Sequence, residues 1–311
     1  MGLLVEGKWQ DKWYETKNNG GEFKRSESQY RKHITKEGEQ GFKAEKDRYH
    51  LYVSLACPWA HRVLIFLKLK ALDTYISYSI VSPDMLNHGW TFDKKTGSSG
   101  DEIYQYDYLY QIYTKDNPTY TGRVTVPILW DKKNHVIVNN ESSEIIRMFN
   151  TEFNHLTDNH DDYYPEALRH HIDQLNDIIY HHINNGVYKV GFATSQEAYE
   201  KNFNLLFNTL NELEQRLENN TYLLGEQITE ADWRLFTTLI RFDIVYFGHF
   251  KCNQYMLKDK PLLFNYIKRL YKVKHIQDTV DFFHIKRHYY YSHTMINPTQ
   301  IVPMGPNINL N

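Results

Sequence analysis

Cys57 follows an alternating stretch, Arg48 to Ser54, and stands one residue ahead of Pro58, which opens a helical pattern. A proline fits the first turn of a helix because the N–H it lacks would have no partner there. That turn leaves N–H groups unpaired and carries the positive end of the macrodipole, so a sulfur beside it is favoured as the anion. The thiolate is the nucleophilic form, and the pKa of this thiol is expected to fall. Cys57 is therefore the candidate nucleophile, whereas Cys252 reads as an inert buried thiol. Position 60 is Ala60, so no resolving cysteine follows, and a mixed disulfide at Cys57 must be cleared by an external thiol. Val126-Pro127 opens a strand after Thr125, which points to a cis peptide that turns the Val126 backbone toward a ligand. A plain strand-edge proline is the ordinary alternative. Glu141-Ser142 opens a helix whose N–H groups can hold a carboxylate, with the Ser142 hydroxyl as a further contact; a simple helix cap is the ordinary alternative there. The histidines form no metal pattern. His170-His171 and His181-His182 are neighbours on helices rather than ligands spaced to converge, and no metal is expected.

These groups need elements to hold them. Arg48 to Ser54 reads as a strand, and Val63, Leu64, Phe66, Leu67 and Leu69 give a helical stripe ending near Lys70. Tyr75 to Val81 is a second strand, so the unit is strand–helix–strand, parallel, with a right-handed crossover. Ser82 to Thr121 is read as a long irregular stretch, which in a compact domain is usually functional. Val124 to Asp131 and His135 to Val138 form a hairpin around Lys132-Lys133-Asn134, and a helix over 141–150 follows. Beyond an acidic linker near 155–165 the pattern is helical. Leu168, Ile172, Leu175, Ile178 and Ile179 mark one amphipathic helix, and Phe203 to Leu217 a longer one. Thr229-Glu230-Ala231-Asp232 is a capping box that starts another helix near 230. Pro261 to Leu270 reads as a further helix, and the tail from Ile296 to Pro306 as extended chain. Residues 1–46 are polar with scattered aromatics, either an extension lying on the body or a flexible tail.

The bulk composition excludes several classes. A chain of 311 residues can build two cores. A formal net charge of −2 gives no electrostatic case for nucleic acid. The apolar runs are too short for a membrane span. The start Met1-Gly2-Leu3-Leu4-Val5-Glu6 carries neither a secretory nor a myristoylation pattern, and two cysteines make no disulfide framework, so a reducing, cytoplasmic setting is expected. The 25 tyrosines suit interfaces or a pocket for flat aromatic ligands, although most should be ordinary core and surface residues.

Taken in order, these pieces resemble the glutathione transferases: an N-terminal thioredoxin-like α/β domain, then an all-α C-terminal domain. Longer stretches are similar to one branch, the glutathionyl-hydroquinone reductases or xi class. They are Ser54-Leu55-Ala56-Cys57-Pro58-Trp59-Ala60-His61-Arg62, Gly89-Trp90-Thr91-Phe92, Arg123 to Asp131, Asn139 to Arg147, Gly186 to Ala193, Ala231 to Phe236, and Gly248-His249-Phe250-Lys251-Cys252-Asn253. The likeness runs from about Gly41 to Pro306. It implies an extension over 1–46, a thioredoxin-like glutathione-binding domain over 47–155, and a helical domain with an extended tail over 165–311. It further implies that Cys57 takes the sulfur of a glutathionyl-hydroquinone and that glutathione, as co-substrate, clears the mixed disulfide. Tyr188 matches the acid that protonates the leaving carbon. Tyr246 and Tyr289 match tyrosines that donate to the thiolate, with Tyr290 the neighbouring alternative to Tyr289. Trp90, Arg123, Val124, Thr125, Val126, Glu141 and Ser142 match the glutathione site, with Arg123 pairing a carboxylate of the tripeptide. A homodimer is implied as well. A conjugating transferase or dehalogenase is disfavoured by Cys rather than Ser or Tyr at position 57. A non-catalytic binding or assembly module would have no use for the nucleophile. Another low-molecular-weight thiol could stand in for glutathione.

Overall fold

A computed structural model describes residues 2–39 and 41–310 of the chain. In chain order its strands and α-helices are β1 Leu3–Val5, β2 Lys8–Gln10, β3 Tyr49–Val53, α1 Pro58–Leu69, β4 Ser77–Ile80, α2 Tyr110–Asp116, β5 Gly122–Arg123, β6 Ile128–Asp131, β7 Val136–Asn139, α3 Ser142–Thr151, α4 Asn154–Thr157, α5 Arg169–Ile178, α6 Gly186–Gly191, α7 Gln196–Arg216, α8 Glu230–Arg241, α9 Pro261–Tyr271 and α10 Phe282–Ser292. Two compact units divide them. The first takes Met1–Trp13, Ser26–Asp161 and Asp278–His293; the second takes Tyr14–Arg25, Asp162–Gln277 and Thr294–Asn311.

In the first unit a four-stranded sheet runs in the order β4-β3-β6-β7. β3 is buried along its whole length, as a central strand covered on both faces must be. It pairs parallel with β4, His50 opposite Ser77, so α1 is the crossover expected from the sequence. It pairs antiparallel with β6, and β6 with β7, which is the expected hairpin. Asp131 fixes that hairpin. Its carboxylate takes Arg48 in two bonds, Nε to Oδ1 at 3.1 Å and Nη2 to Oδ2 at 2.7 Å, and also caps the turn through the Lys133 N–H.

One sequence expectation needs correction here. The stretch 82–121 is not wholly irregular, because it contains α2, with Ile112 and Tyr113 buried, and a 3-10 turn at Lys94–Thr96. Seven residues carry too little periodicity to reveal such a helix. Of the two readings of the N-terminal extension, the one that lays it on the body rather than leaving a flexible tail agrees with the structure. β1 and β2 form a hairpin whose β1 edge pairs with β5, and Phe23, Ile34 and Phe42 are buried. Its turn has Glu6 and Gly7 at φ 48 and 73, and a Cβ on Gly7 would lie 1.9 Å from the Pro118 carbonyl oxygen, so only glycine fits. The boundaries 47–155 and 165–311 differ from the compact units, since α10 belongs with the first. Arg287 holds Asp84 in two bonds of 2.7 and 2.9 Å, and Ser292 Oγ takes the Met85 N–H at 2.9 Å. These contacts bridge some two hundred residues of chain, which local patterning cannot register.

The second unit is helical. α5 runs into a wide π turn, Ile179–Asn184, and α8 into another, Phe242–Tyr246. The capping box at Thr229 forms as expected. Asp232 also accepts from the Leu223 N–H and the Tyr266 hydroxyl, both at 2.9 Å. Tyr14–Arg25 lies along this unit: Ser195 Oγ donates to the Gly20 carbonyl at 2.8 Å, and Glu22 receives Asn202 and Lys201. Among the described residues the tail expected to be extended from Ile296 to Pro306 has neither helix nor strand, although it begins with turns at 294–296 and 298–299. No helix among the described residues is long and apolar enough to cross a membrane.

Candidate active site

Cys57 is the N-cap of α1, with extended backbone angles (φ −77, ψ 122) and Pro58 in the first turn. Its side chain is almost buried, and Sγ points at the carbonyl oxygen of Val126, 3.7 Å away. The helix behind it is held from within. His61 Nε2 lies 2.9 Å from Thr279 Oγ1, and the buried Arg62 guanidinium sits 4.5 Å over the Trp59 ring. Arg62 Nη1 also reaches Ser142 Oγ at 3.5 Å, linking the start of α1 to the start of α3. Cys252 is fully buried, and burial pushes its thiol well up, which suits an inert residue.

The Val126–Pro127 peptide is cis. Val126 is buried, yet its N–H has no acceptor among the described residues, although buried backbone donors are nearly always paired. The N–H of Ser142, in the first turn of α3, is in the same position. Glu141 caps α3, its carboxylate accepting the Ser143 N–H at 3.0 Å, and Ser28 Oγ lies 3.1 Å from its other oxygen. Arg123 donates to the carbonyls of Lys12 and Trp13, the second at 3.0 Å. Val124 is buried, and Thr125 is bonded through its backbone to the Tyr113 hydroxyl. Trp90 stacks on His288 at 4.8 Å. Two orphaned N–H groups, one beside the sulfur and one at a helix start, fit a peptide-like ligand that bears a carboxylate.

Tyr289 is on α10 in the first unit, buried, with edge contacts to His288 and His293, whereas Tyr290 is only half-buried. Tyr188 and Tyr246 lie in the second unit, inside one aromatic cluster. Their rings are 6.2 Å apart, and Phe250 stacks on Tyr246 at 5.4 Å. Gly191 lets α6 approach that cluster, because a Cβ there would sit 2.2 Å from the Phe250 ring. The Arg25 guanidinium lies 4.8 Å over the Tyr188 ring and is held by Asn185 Oδ1 at 3.1 Å. Both π turns border these tyrosines, a placement often found at functional sites. Sequence reasoning missed Arg25, Arg62, Tyr113 and His288. Only Arg62 had a visible signal, falling inside the Cys57–Arg62 motif. Among the described residues no three His, Cys, Asp or Glu side chains converge as for a metal ion.

Comparison with known proteins decides the family. The family model for the glutathione S-transferase N-terminal domain matches residues 56–152, and that for the C-terminal domain matches 196–269. The chain is 55% identical over 313 residues to the glutathionyl-hydroquinone reductase YqjG of Escherichia coli, covering 98% of this chain and 95% of that protein. The chain belongs to the glutathionyl-hydroquinone reductases, the xi class of glutathione transferases. A second relative, the glutathionyl-hydroquinone reductase PcpF of Sphingobium chlorophenolicum, is 51% identical over 306 residues, covering 98% of this chain and 96% of its own. Among solved structures, the glutathione-bound YqjG matches this xi-class chain with TM-score 0.92 at 51% identity, covering 99% of this chain and 97% of that one. A xi-class transferase from Natrialba magadii matches with TM-score 0.92 at 43% identity, covering 100% and 94%. The α/β-plus-helical fold expected from the sequence is that of this family.

Proposed function

We propose that this xi-class enzyme reduces glutathionyl-hydroquinones with glutathione, through a mixed disulfide at Cys57. The Cys57 thiolate attacks the glutathione sulfur of the substrate. The bond from sulfur to ring carbon breaks, its electron pair stays on the carbon, and a proton from Tyr188 completes the free hydroquinone. A second glutathione thiolate then attacks the mixed disulfide, releasing glutathione disulfide and restoring Cys57. The observation that carries this reading is the pairing of a helix-capping Cys57 with the Val126 carbonyl at 3.7 Å, next to the unpaired Val126 N–H. The two Val126 groups suit the backbone of the cysteine in glutathione, while the Ser142 N–H and hydroxyl suit its γ-glutamyl carboxylate. Trp90, Arg123, Val124, Thr125 and Glu141 line and shape that site, and Arg123 brings a positive charge for the other carboxylate.

Tyr246 and Tyr289 donate to the thiolate in this scheme, and the burial of Tyr289 rather than Tyr290 supports choosing it. Arg25 over the face of Tyr188 favours negative charge developing on the phenol oxygen as the proton leaves. The working form is a cytoplasmic homodimer, to be checked by sedimentation, where a mass equal to a single chain would count against it. The catalytic test mixes the protein with a glutathionyl-hydroquinone and excess glutathione and follows free hydroquinone by chromatography, with Cys57→Ala as control. Release that disappears in the control establishes reaction class and nucleophile together. Release supported by a different cellular thiol and not by glutathione would move the co-substrate assignment, and no release with any thiol would leave a binding module.

A further inference from the structure

We propose that the Tyr113 hydroxyl is a positioning group for glutathione: it ties the Thr125–Val126 backbone to the Asn140–Ser142 corner and so sets the spacing of the two places that hold the tripeptide. This rests on the glutathione-binding reading given above. Tyr113 lies on α2, far from Cys57 in sequence, and its side chain is wholly buried. A phenol has one proton and two lone pairs, and all are used. The hydroxyl donates to the Thr125 carbonyl at 3.0 Å, accepts the Thr125 N–H at 3.2 Å, and accepts Asn140 Nδ2 at 3.2 Å. Thr125 immediately precedes Val126, and Asn140 immediately precedes Glu141 and Ser142. One oxygen atom therefore couples the two segments just beyond the end of the β6–β7 ladder, whose last pair sets Leu129 opposite Asn139. Burial pushes the phenol's pKa up, so it stays a donor across the working pH range.

The surroundings make this a brace rather than a single bond. Tyr120, whose ring is 5.0 Å from that of Tyr113, donates its hydroxyl to the Arg123 carbonyl at 3.2 Å. Tyr30 completes the cluster. Its backbone N–H reaches Asn140 Oδ1 at 3.1 Å, and its carbonyl takes the Asn140 N–H at 3.0 Å. The backbone from Arg123 to Thr125, directly ahead of Val126, thus hangs from two buried hydroxyls. A peptide ligand that pairs with Val126 and with the start of α3 reads the distance between them, and a few tenths of an ångström of slack weakens both ends at once.

The test is Tyr113→Phe, which keeps the ring and removes the oxygen. Glutathione affinity is measured by calorimetry, and steady-state kinetics with thermal melts are run with and without glutathione. The expected result is a roughly tenfold or greater rise in Kd and KM for glutathione, with kcat at saturation within about twofold of wild type. The rise in Tm that glutathione produces should shrink in proportion. Tyr120→Phe, which loses only the Arg123 contact, should show a smaller change. If Tyr113→Phe does not fold, Asn140→Ser removes the amide partner and should weaken glutathione in the same way. A variant that melts earlier but binds glutathione as wild type does would overturn the inference, because a merely structural hydroxyl behaves that way. A wild-type protein that binds no glutathione would bring down the glutathione reading itself, and this inference with it.

Discussion

Three local features meet at the sulfur of Cys57, the proposed nucleophile: a helix start, a neighbouring carbonyl and little exposure. Replacing Cys57 with serine nearly keeps the size and suits the N-cap position but removes the soft nucleophile. Cys57→Ser should release no hydroquinone while binding glutathione within a few-fold of wild type by calorimetry. Tyr188→Phe separates acid catalysis from thiol exchange. It should slow hydroquinone release by about 10²–10⁴-fold, the usual worth of a positioned general acid. Formation of the Cys57 mixed disulfide from glutathione disulfide, which needs no carbon protonation, should be far less affected when followed by mass spectrometry. Equal losses in both reactions would mean that Tyr188 does not supply that proton.

At the scale of elements, buried polar contacts decide how strands and helices stay in register. His50 on β3 is buried, with its ring nitrogens 2.7 and 2.9 Å from the hydroxyls of Ser77 and Ser79 on β4. Burial, helped by the charge of Lys132, pushes its pKa down to about 3. The folded value lies below the unfolded one near 6.5, so the unfolded chain binds the extra proton as pH falls through that window. Stability from this residue is thus complete above pH 6.5 and is lost toward pH 3. Between pH 7 and 5 the loss should be about 2 kcal/mol, read from urea midpoints. His50→Gln, which keeps hydrogen bonding without titrating, should flatten that slope. Asp232 plays the matching part in the helical unit, accepting the Thr229 N–H at 2.7 Å, the Leu223 N–H and the Tyr266 hydroxyl. Asp232→Ala strands these donors, and the Thr229 hydroxyl that also bonds the carboxylate at 2.9 Å, and should cost about 3 kcal/mol or more by urea unfolding.

For the molecule as a whole, the chain order of the segments is not the order of the compact units. The first unit needs Asp278–His293, which returns after the whole helical stretch. His61 bonds Thr279, His288 Nδ1 lies 2.9 Å from the Pro83 carbonyl, and Arg287 holds Asp84. A fragment ending at residue 161 loses every one of these contacts. It should melt well below the same fragment with residues 278–293 joined through a flexible linker, as followed by circular dichroism. Equal melting would mean that α10 adds nothing to the first unit. Tyr289, proposed above to donate to the Cys57 thiolate, arrives on the same segment.

The sequence by itself determined the strand–helix–strand unit, the hairpin, the helical second half, the capping box at Thr229 and the Cys57, Val126-Pro127 and Glu141-Ser142 motifs. All of these are local, set by the side-chain period, by turn residues, or by groups a few positions apart. Tertiary structure alone decided the rest. α10 was not legible because its buried positions include His284, His288, Tyr289 and Ser292, whose polar atoms hide an apolar stripe until their partners are known. The hairpin at Leu3–Gln10 gains its place by pairing with Gly122–Arg123, more than a hundred residues on. Tyr113 looks like any other tyrosine in a chain with 25 of them. What sets it apart is where one oxygen ends up, between two backbones brought together only when the sheet and α3 have formed. Hydrogen bonds between distant segments leave no period in the sequence, and for that reason the positions of Tyr113, Arg25 and α10 had to be seen in three dimensions.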